Sequence, residues 1–395
     1  MKLLKIRASG IPLFKDTCEI DFLALQRVTA DDAESMSTVF STGNQAFTQN
    51  NVLALIGINA SGKTTVLKLI TFVCRMLNHE PLNSIDCAEF LDGLTEDQRV
   101  TIETYFYANS SATYSPAGGN AINLLKTVII KRNDKLLIAK ETIQTKVISA
   151  GLRKKNLLDF KGVEINFARH FNEYLLDDVS IMVAFNKRNN EQIVVSDMLQ
   201  YTNVNQLSLS DDCPLELIAF FDPSIEYLRF KKDSKDIRIS LKFKGKKEIT
   251  LNQFSELNRY LSSGTIKGIN TFLKAIKVFK AGGYLIVDEL ENHFNHEIVS
   301  TLIRLFMDKK VNKSGAMLIF STHYAELLDE FERNDNIYIV RNRHGIILDN
   351  LSTILNRNDI KKSDAYQSGF LEGTVPMYEA YMDLKRALIK ANEEG

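Results

Sequence analysis

A glycine-rich stretch near the start of the chain holds the residues best suited to bind a phosphate. The sequence GINASGKT runs from Gly57 to Thr64 and fits the pattern GxxxxGK followed by Ser or Thr. Lys63 would reach the β- and γ-phosphates of a triphosphate, and the Thr64 hydroxyl would ligate Mg²⁺. The sequence therefore predicts a loop for ATP and Mg²⁺. The expected nucleotide contacts are Gly57, Asn59, Ala60, Ser61, Gly62, Lys63, Thr64 and Thr65. An incidental glycine-rich turn between a strand and a helix is the alternative.

Two carboxylates follow a hydrophobic run in the stretch YLIVDELENHFN. Ligands of open α/β sheets bind beside the carboxyl ends of the strands, so Asp288 is placed to hold Mg²⁺. Glu289, the next residue, is placed to polarise an attacking water as a general base. An Asp-Glu pair after a strand can also be a solvated loop start. The phosphate-binding loop upstream favours the catalytic interpretation.

Three buried strands and one helix must position these groups. VLALIG reads as a continuous buried strand that ends at Gly57, and residues 64–77 have helical apolar spacing. YLIV at 284–287 and MLIF at 317–320 are predicted strands of the sheet centre. The sequence therefore predicts an α/β fold with a mixed sheet around the phosphate-binding loop.

The remaining segments divide into recognisable blocks. The chain begins with a predicted hairpin, and residues 29–51 read as a polar loop. Period-two patterning over residues 98–145, with a turn at Asn133-Asp134, predicts an antiparallel β subdomain. We expect an ATPase lobe over 1–149, an inserted and mostly helical lid over 150–236, a second ATPase part over 237–350 and a helical tail over 351–395.

Composition excludes several classes of protein. The 395 residues include 49 Lys and Arg against 49 Asp and Glu, so no overall field favours a charged partner. Four cysteines without ligand spacing do not make a disulfide framework. No run approaches the roughly 20 apolar residues of a membrane helix. A soluble protein of the reducing cytoplasm is the expectation.

The stretch LSSGTIKG, from Leu261 to Gly268, precedes a predicted helix. It resembles the Leu-Ser-Gly-Gly-Gln signature of ABC-type ATPases, with Ser263 and Thr265 in place of Gly and Gln. In that family the signature contacts the γ-phosphate bound to the opposite protomer. The resemblance implies that Ser262, Ser263 and Gly264 contact nucleotide held by a second copy, in a homodimer or higher oligomer. An ordinary Ser and Gly helix cap is the alternative.

Further positions match this ABC-type pattern. His323, in Ser-Thr-His after the MLIF run, stands where the family carries a switch histidine, so the resemblance implies a catalytic role beside Glu289 and Lys63. Residues 291–293 would be the D-loop that couples two sites. Gln98 is the candidate for the glutamine that binds Mg²⁺, together with Thr64 and Asp288. His293 and His296 lie one helical turn apart without a third ligand, so they do not predict a metal site.

The family resemblance narrows to one group because no long coiled coil separates the motifs. The chain is similar to the ABC/AAA-like ATPases of bacterial phage defence and abortive infection, which include the overcoming-lysogenization-defect, RloA, Septu and PARIS ATPases. The resemblance implies hydrolysis of ATP to ADP and phosphate, and a nucleotide-driven dimer that senses a phage trigger. It also implies a separate effector, a nuclease or toxin such as a Toprim-like protein.

Two other functions stay open. A RecF-like recombination or repair ATPase would clamp duplex DNA with the same fold. Neutral net charge weakens this alternative, whereas the basic runs at 153–155 and 229–247 support it. A scaffold that retains ATP without hydrolysing it is the third possibility, against which Glu289 and His323 argue.

Overall fold

A computed structural model describes residues 1–43, 45–110, 119–169, 175–189, 191–199, 214–232, 237–292, 294–355, 357–371 and 378–393. Strands and helices are numbered in chain order. The strands are β1 Lys2–Ser9, β2 Cys18–Asp21, β3 Met36–Thr42, β4 Gln45–Asn50, β5 Val52–Ile56, β6 Val100–Ser110, β7 Gly119–Arg132, β8 Lys135–Val147, β9 Ile165–Ala168, β10 Val195–Asp197, β11 Ile225–Lys232, β12 Ile237–Phe243, β13 Ile249–Leu251, β14 Tyr284–Val287, β15 Met317–Thr322, β16 Ile337–Asn342 and β17 Ile346–Asn350. The helices are α1 Lys63–Leu77, α2 Met182–Asn189, α3 Leu215–Phe221, α4 Ser263–Ala281, α5 His296–Met307, α6 Leu351–Ile354, α7 Lys362–Gln367 and α8 Tyr378–Glu393.

A six-stranded mixed sheet forms the centre of the fold, in the order β10-β14-β15-β5-β16-β17. The first five strands are parallel and β17 is antiparallel to β16. Strands β5, β14 and β15 are buried along their whole length, as their continuous apolar runs require. Their carboxyl ends lie on one edge of the sheet, so the predicted central strands bring the predicted chemistry together.

A second six-stranded sheet, β2-β1-β6-β7-β8-β9, is antiparallel throughout. Its β7-β8 hairpin turns at Asn133 and Asp134, whose φ angles of 49° and 57° are those that a tight two-residue hairpin turn requires. The antiparallel block and the N-terminal hairpin predicted from period-two patterning are thus present.

Helices occupy both faces of the central sheet. The core on one face contains α1 together with apolar residues of both six-stranded sheets, so α1 lies between the two sheets. Helices α4 and α5 pack on the opposite face through residues such as Phe272, Leu302 and Phe306. The helix that follows the phosphate-binding loop is therefore enclosed on both sides.

A small sheet, β11-β12-β13, covers the first half of α4. Alternation along its strands sends Leu228, Ile239 and Leu241 inward, where they share a core with Ile266 and Ile269 of α4. The other face of this sheet carries polar and charged residues.

Two segments differ from expectation. Residues 29–51 contain the hairpin β3-β4, where a loop is predicted. Phe40 and Phe47 stack across this hairpin with ring centroids 4.6 Å apart. Frequent Ser and Thr residues obscure the apolar alternation that would have predicted the two strands. The described residues of 150–236 are not the predicted mostly helical lid. They alternate α2 and α3 with strands, of which β9 joins the antiparallel sheet and β10 the central sheet. The domain boundaries stay a prediction.

Within the described residues, no helix has the length and apolar character needed to cross a membrane.

Candidate functional site

The loop between β5 and α1 is shaped by two glycines. Gly62 has φ 101°, a left-handed conformation, and a Cβ there would overlap the Ile346 side chain of β17. A Cβ on Gly57 would overlap the Val340 carbonyl of β16 and the Ser61 hydroxyl. Strands β16 and β17 therefore press against the loop and hold its backbone in a tight curve, which only glycine permits at these two positions.

Lys63 begins α1 and its side chain folds back over the loop. Its Nζ donates to the carbonyls of Gly57 at 2.8 Å and Ile58 at 3.1 Å, and lies 3.1 Å from Nδ1 of His323. Burial lowers the pKa of Lys63, while the carboxylates of Asp288, Glu291 and Glu289 oppose this shift. The three contacts match the three hydrogens of one ammonium group.

Asp288 follows β14 and connects to both neighbouring motifs. Thr64 donates its hydroxyl to Oδ2 of Asp288 at 2.7 Å, and Ser321, at the end of β15, donates to Oδ1. Asp288 is largely buried. A hydroxyl and a carboxylate in direct contact are hard oxygen ligands of the kind that Mg²⁺ prefers.

Glu289 is held in an unusual backbone conformation. Its φ is 47°, which costs on the order of 1–3 kcal/mol for a residue other than glycine. Its backbone N–H donates to the Ser321 hydroxyl at 2.7 Å, and its carboxylate lies 3.3 Å from both His323 Nε2 and Asn292 Nδ2. Such strain concentrates at functional sites, and here it fixes the direction of the predicted general base.

His323 links Lys63 to Glu289. Its Nδ1 lies 3.1 Å from Lys63 Nζ and 3.2 Å from the Gly57 carbonyl oxygen, and its Nε2 lies 3.3 Å from Glu289 Oε1. The backbone N–H of His323 donates to Oε1 of Glu291 at 2.6 Å. His323, the predicted switch histidine, is thus fixed through its backbone, while its ring lies between Lys63 and Glu289, the predicted general base.

The predicted signature residues begin α4. Ser262 is the N-cap, and its hydroxyl accepts the N–H of Thr265 at 3.0 Å. Ser263 and Gly264 form the first turn, and their N–H groups have no hydrogen-bond partner among the described residues. The stretch is therefore a capped helix N-terminus, and among the described residues no hydrogen bond joins it to the phosphate-binding loop of the same chain.

Gln98 is not brought to this site. It lies in an exposed turn before β6, a strand of the antiparallel sheet, and its Oε1 accepts the N–H of Thr95 at 3.1 Å. In the central sheet, β14 pairs with β10 on one side and β15 on the other, so β6, the strand that follows Gln98, does not pair with β14. The metal role predicted for Gln98 therefore has no geometric support. His293, of the predicted D-loop, lies outside the described residues.

Three residues make contacts at the site that the sequence did not indicate: Ser321 and Lys267 were assigned no role, and Glu291 was assigned only to the D-loop. Ser321 contacts both Asp288 and the Glu289 backbone, and a small hydroxyl residue at the end of a central strand is the only signal for it. Glu291 positions His323. Lys267 of α4 is 3% exposed; burial lowers its pKa, opposed by the carboxylates of Glu289, Glu291 and Asp288. No sequence signal marks Lys267, because its role depends on how α4 packs.

These residues fit ATP and Mg²⁺. The two glycines allow the tight curve of the loop, and the buried Ser61 hydroxyl has no partner among the described residues. Lys63 would contact the β- and γ-phosphates, and Thr64 with Asp288 would hold Mg²⁺. The loop, the carboxylates and the histidine therefore define a P-loop ATPase site on an α/β fold.

A comparison with known protein families agrees with a P-loop ATPase site. Residues 52–329 match the family described as "AAA domain, putative AbiEii toxin, Type IV TA system". The match covers more than half of the chain, so the protein belongs to this family, whose AAA domain is a nucleotide-hydrolysing domain. No curated protein matches the sequence.

Proposed function

We propose that this chain is an ATP-driven switch of antiviral defence, in which two copies close around ATP and control a separate effector, a nuclease or toxin. The family description refers to an AbiEii-type toxin and a toxin-antitoxin system, which supports a role in abortive infection. The nucleotide would be shared between copies, as the resemblance of the signature implies. Hydrolysis to ADP and phosphate would reopen the dimer.

One observation supports the proposal that two copies share each nucleotide. The phosphate-binding loop, Asp288, Glu289 and His323 form one connected group of hydrogen bonds, whereas the N–H groups of Ser263 and Gly264, at the start of α4, have no hydrogen-bond partner among the described residues. The N-terminus of a 19-residue helix carries a partial positive charge and open N–H donors, which suit a phosphate. A second copy is the simplest source of the anion that this terminus would contact.

The residues of the site divide the reaction between them. Lys63 would exchange its contacts with Gly57, Ile58 and His323 for the phosphates, and His323 would then be free to sense the γ-phosphate. Glu289 would accept a proton from the attacking water. Bound Mg²⁺ supplies neutralisation of phosphate charge. The strained backbone of Glu289 keeps its carboxylate aimed during this exchange.

The binding free energy of ATP is compatible with a switch between open and closed forms of the dimer. Shifting an assembly from 1:99 to 99:1 requires about 5.5 kcal/mol of differential binding. Charge-assisted hydrogen bonds to two shared triphosphates are of the strength needed. ATP would therefore control assembly as well as supply energy.

Mixing two inactive variants tests the sharing. Lys63→Ala removes the loop contact and Ser263→Arg blocks the signature, so each variant alone should lack ATPase activity. A mixed dimer has one site with both elements intact, and an equal mixture should recover about a quarter of wild-type phosphate release. If catalysis used only one copy, the mixture would stay inactive and the proposal would be wrong.

Ser255→Arg is the matched control, because Ser255 is exposed and lies before α4. This variant alone should keep wild-type ATPase activity, so arginine as such is not the cause of the loss. The defence role is tested separately, by phage challenge of bacteria that express the protein with its neighbouring genes. Lys63→Ala should abolish protection, and protection that persists would contradict ATP control of the effector.

A further inference from the structure

The small sheet β11-β12-β13 concentrates positive charge. The ranges 225–232 and 237–251 together contain eight basic residues and two acidic ones, although the whole chain has equal numbers of both. The basic residues are Arg229, Lys231, Lys232, Arg238, Lys242, Lys244, Lys246 and Lys247, and the acidic residues are Glu226 and Glu248. A local field of this kind attracts anionic partners even when the net charge of the protein is zero.

Strand alternation places much of this charge on the outer face of the sheet. Arg229, Arg238 and Lys244 are exposed, and the apolar residues between them point inward to α4. Cations two residues apart along a strand are about 7 Å from each other, and the next strand lies about 5 Å away. We name Arg229, Arg238, Lys242 and Lys244 the basic face. Lys246 and Lys247 extend it into an exposed turn.

The acidic residues neutralise only part of the basic face. Glu226 pairs with Lys242 at 2.8 Å. Glu248 accepts hydrogen bonds from the hydroxyls of Tyr227 and Ser240. Among the described residues, the charged ends of Arg229, Arg238 and Lys244 form no hydrogen bond or ion pair. Arg229 lies over the Tyr227 ring, and Glu248 is near enough to Arg229 and Arg238 to interact with their charges. The basic face therefore keeps a net positive charge.

The second basic run of the sequence is shorter. Its three cations, Arg153, Lys154 and Lys155, are exposed, and the Nζ of Lys154 donates to the Leu25 carbonyl at 2.9 Å. The larger group of basic residues is therefore the one on β11 and β12.

We infer that the basic face of β11 and β12 binds the phosphate backbone of a nucleic-acid duplex. Phosphate contacts from Arg and Lys dominate such binding and need no base recognition. Single-stranded partners would require open aromatic rings for stacking. Tyr227, which lies beside Arg229 and Lys242 on this sheet, is instead covered, with the Arg229 guanidinium 4.5 Å and the Lys242 ammonium 5.8 Å from its ring centroid.

The basic face and the signature helix are joined through a common core. Ile239 and Leu241 of β12 pack with Ile266 and Ile269 of α4, whose first turn is Ser263 and Gly264. A duplex on this face would therefore be held by a sheet that packs directly on the helix that carries the signature. Binding itself does not depend on the proposed sharing of nucleotide between copies.

Fluorescence anisotropy with a labelled duplex DNA of random sequence tests this inference on the full chain. Wild-type protein should bind with an affinity that falls steeply between 50 and 200 mM salt, as phosphate contacts predict. The triple variant R229Q/R238Q/K244Q should bind at least about tenfold more weakly, and its log-log salt slope should be shallower by about 0.9 per lost contact. Its ATPase activity should match that of wild type, which confirms folding.

The matched control is the triple variant K309Q/K310Q/K313Q. It removes the same charge from an exposed loop after α5. This control should bind like wild type; equal weakening in both triple variants would overturn the assignment to the basic face. The inference that a duplex binds would be overturned if wild type showed no salt-dependent binding, or if it bound a single strand of equal length more tightly. A duplex RNA arm shows which backbone is preferred, and preference for either keeps the proposal.

Discussion

At the scale of single residues, the site is a chain of contacts rather than a set of independent groups. Lys63 contacts His323, His323 contacts Glu289, and Ser321 joins the Glu289 backbone to Asp288. Thr64 completes the chain through Asp288. Since each contact fixes the orientation of the next group, the site is organised by the protein alone.

Glu289, the proposed general base, gives the first residue prediction. Glu289→Gln keeps the size and the hydrogen-bonding capacity of the side chain but cannot accept a proton, so phosphate release should fall by about 10²–10⁴-fold while ATP affinity is unchanged. Steady-state phosphate release and equilibrium binding of a fluorescent ATP analogue measure the two quantities. Glu297→Gln, an exposed residue of α5, is the control and should behave as wild type. Undiminished release by E289Q would remove Glu289 from this role.

Lys267 gives the second residue prediction. Its ammonium is buried, and burial lowers its pKa while the carboxylates of Glu289, Glu291 and Asp288 oppose this shift. Lys267→Met removes this buried cation from beside the carboxylates, so steady-state phosphate release should fall by about tenfold or more. Lys274→Met on the same helix removes a lysine that bonds to the Asp197 carbonyl and should leave phosphate release unchanged. Phosphate release by K267M equal to that of wild type would contradict a role for Lys267 at the site.

At the scale of elements, strands from distant parts of the chain shape the phosphate-binding loop. The Val340 carbonyl of β16 lies where a side chain at position 57 would stand. Gly57→Ala should therefore lower the free energy of unfolding by about 1–3 kcal/mol and weaken ATP binding. Urea denaturation and ATP titration measure these effects. Gly151→Ala, where a Cβ meets nothing within 4 Å, should change neither; equal stability of G57A and wild type would contradict the tight contact.

The sequence predicts those elements whose signals are local. Continuous apolar runs identify β5, β14 and β15, and helical spacing identifies α1. The residues that follow these elements could therefore be placed correctly at one edge of the sheet. The glycine pattern itself marks Lys63 and Thr64.

Elements whose signals depend on distant packing could not be predicted in the same way. The short strand β10 has no clear pattern of its own, yet it pairs with β14 in the central sheet, whereas Gln98 precedes β6 in the antiparallel sheet. The sequence alone does not show which of these segments lies beside the predicted magnesium ligands. The hairpin β3-β4 is stabilised by Phe40 stacking on Phe47 and Tyr107, a contact between segments more than 60 residues apart. Lys267 acquires its environment only when α4 packs beside the carboxylates.

At the scale of the whole molecule, the proposal predicts an assembly that depends on nucleotide. E289Q with ATP and Mg²⁺ should elute as a dimer, because the closed form is stabilised and cannot hydrolyse its ligand. The same variant with ADP, and Lys63→Ala with ATP, should elute as monomers. Size-exclusion chromatography with light scattering gives the masses. A mass that is the same in all three conditions would contradict nucleotide-driven closure.

Strand β5 has further consequences during synthesis of the protein. It spans residues 52–56, yet both of its neighbours, β15 at 317–322 and β16 at 337–342, are made much later. At about 5–20 residues per second, a ribosome needs roughly 15–55 s between these strands. Throughout that time the VLALI segment of the nascent chain has no native edge to join. Chaperone protection of this segment is therefore expected, and a prematurely terminated product that lacks β15 and β16 should aggregate.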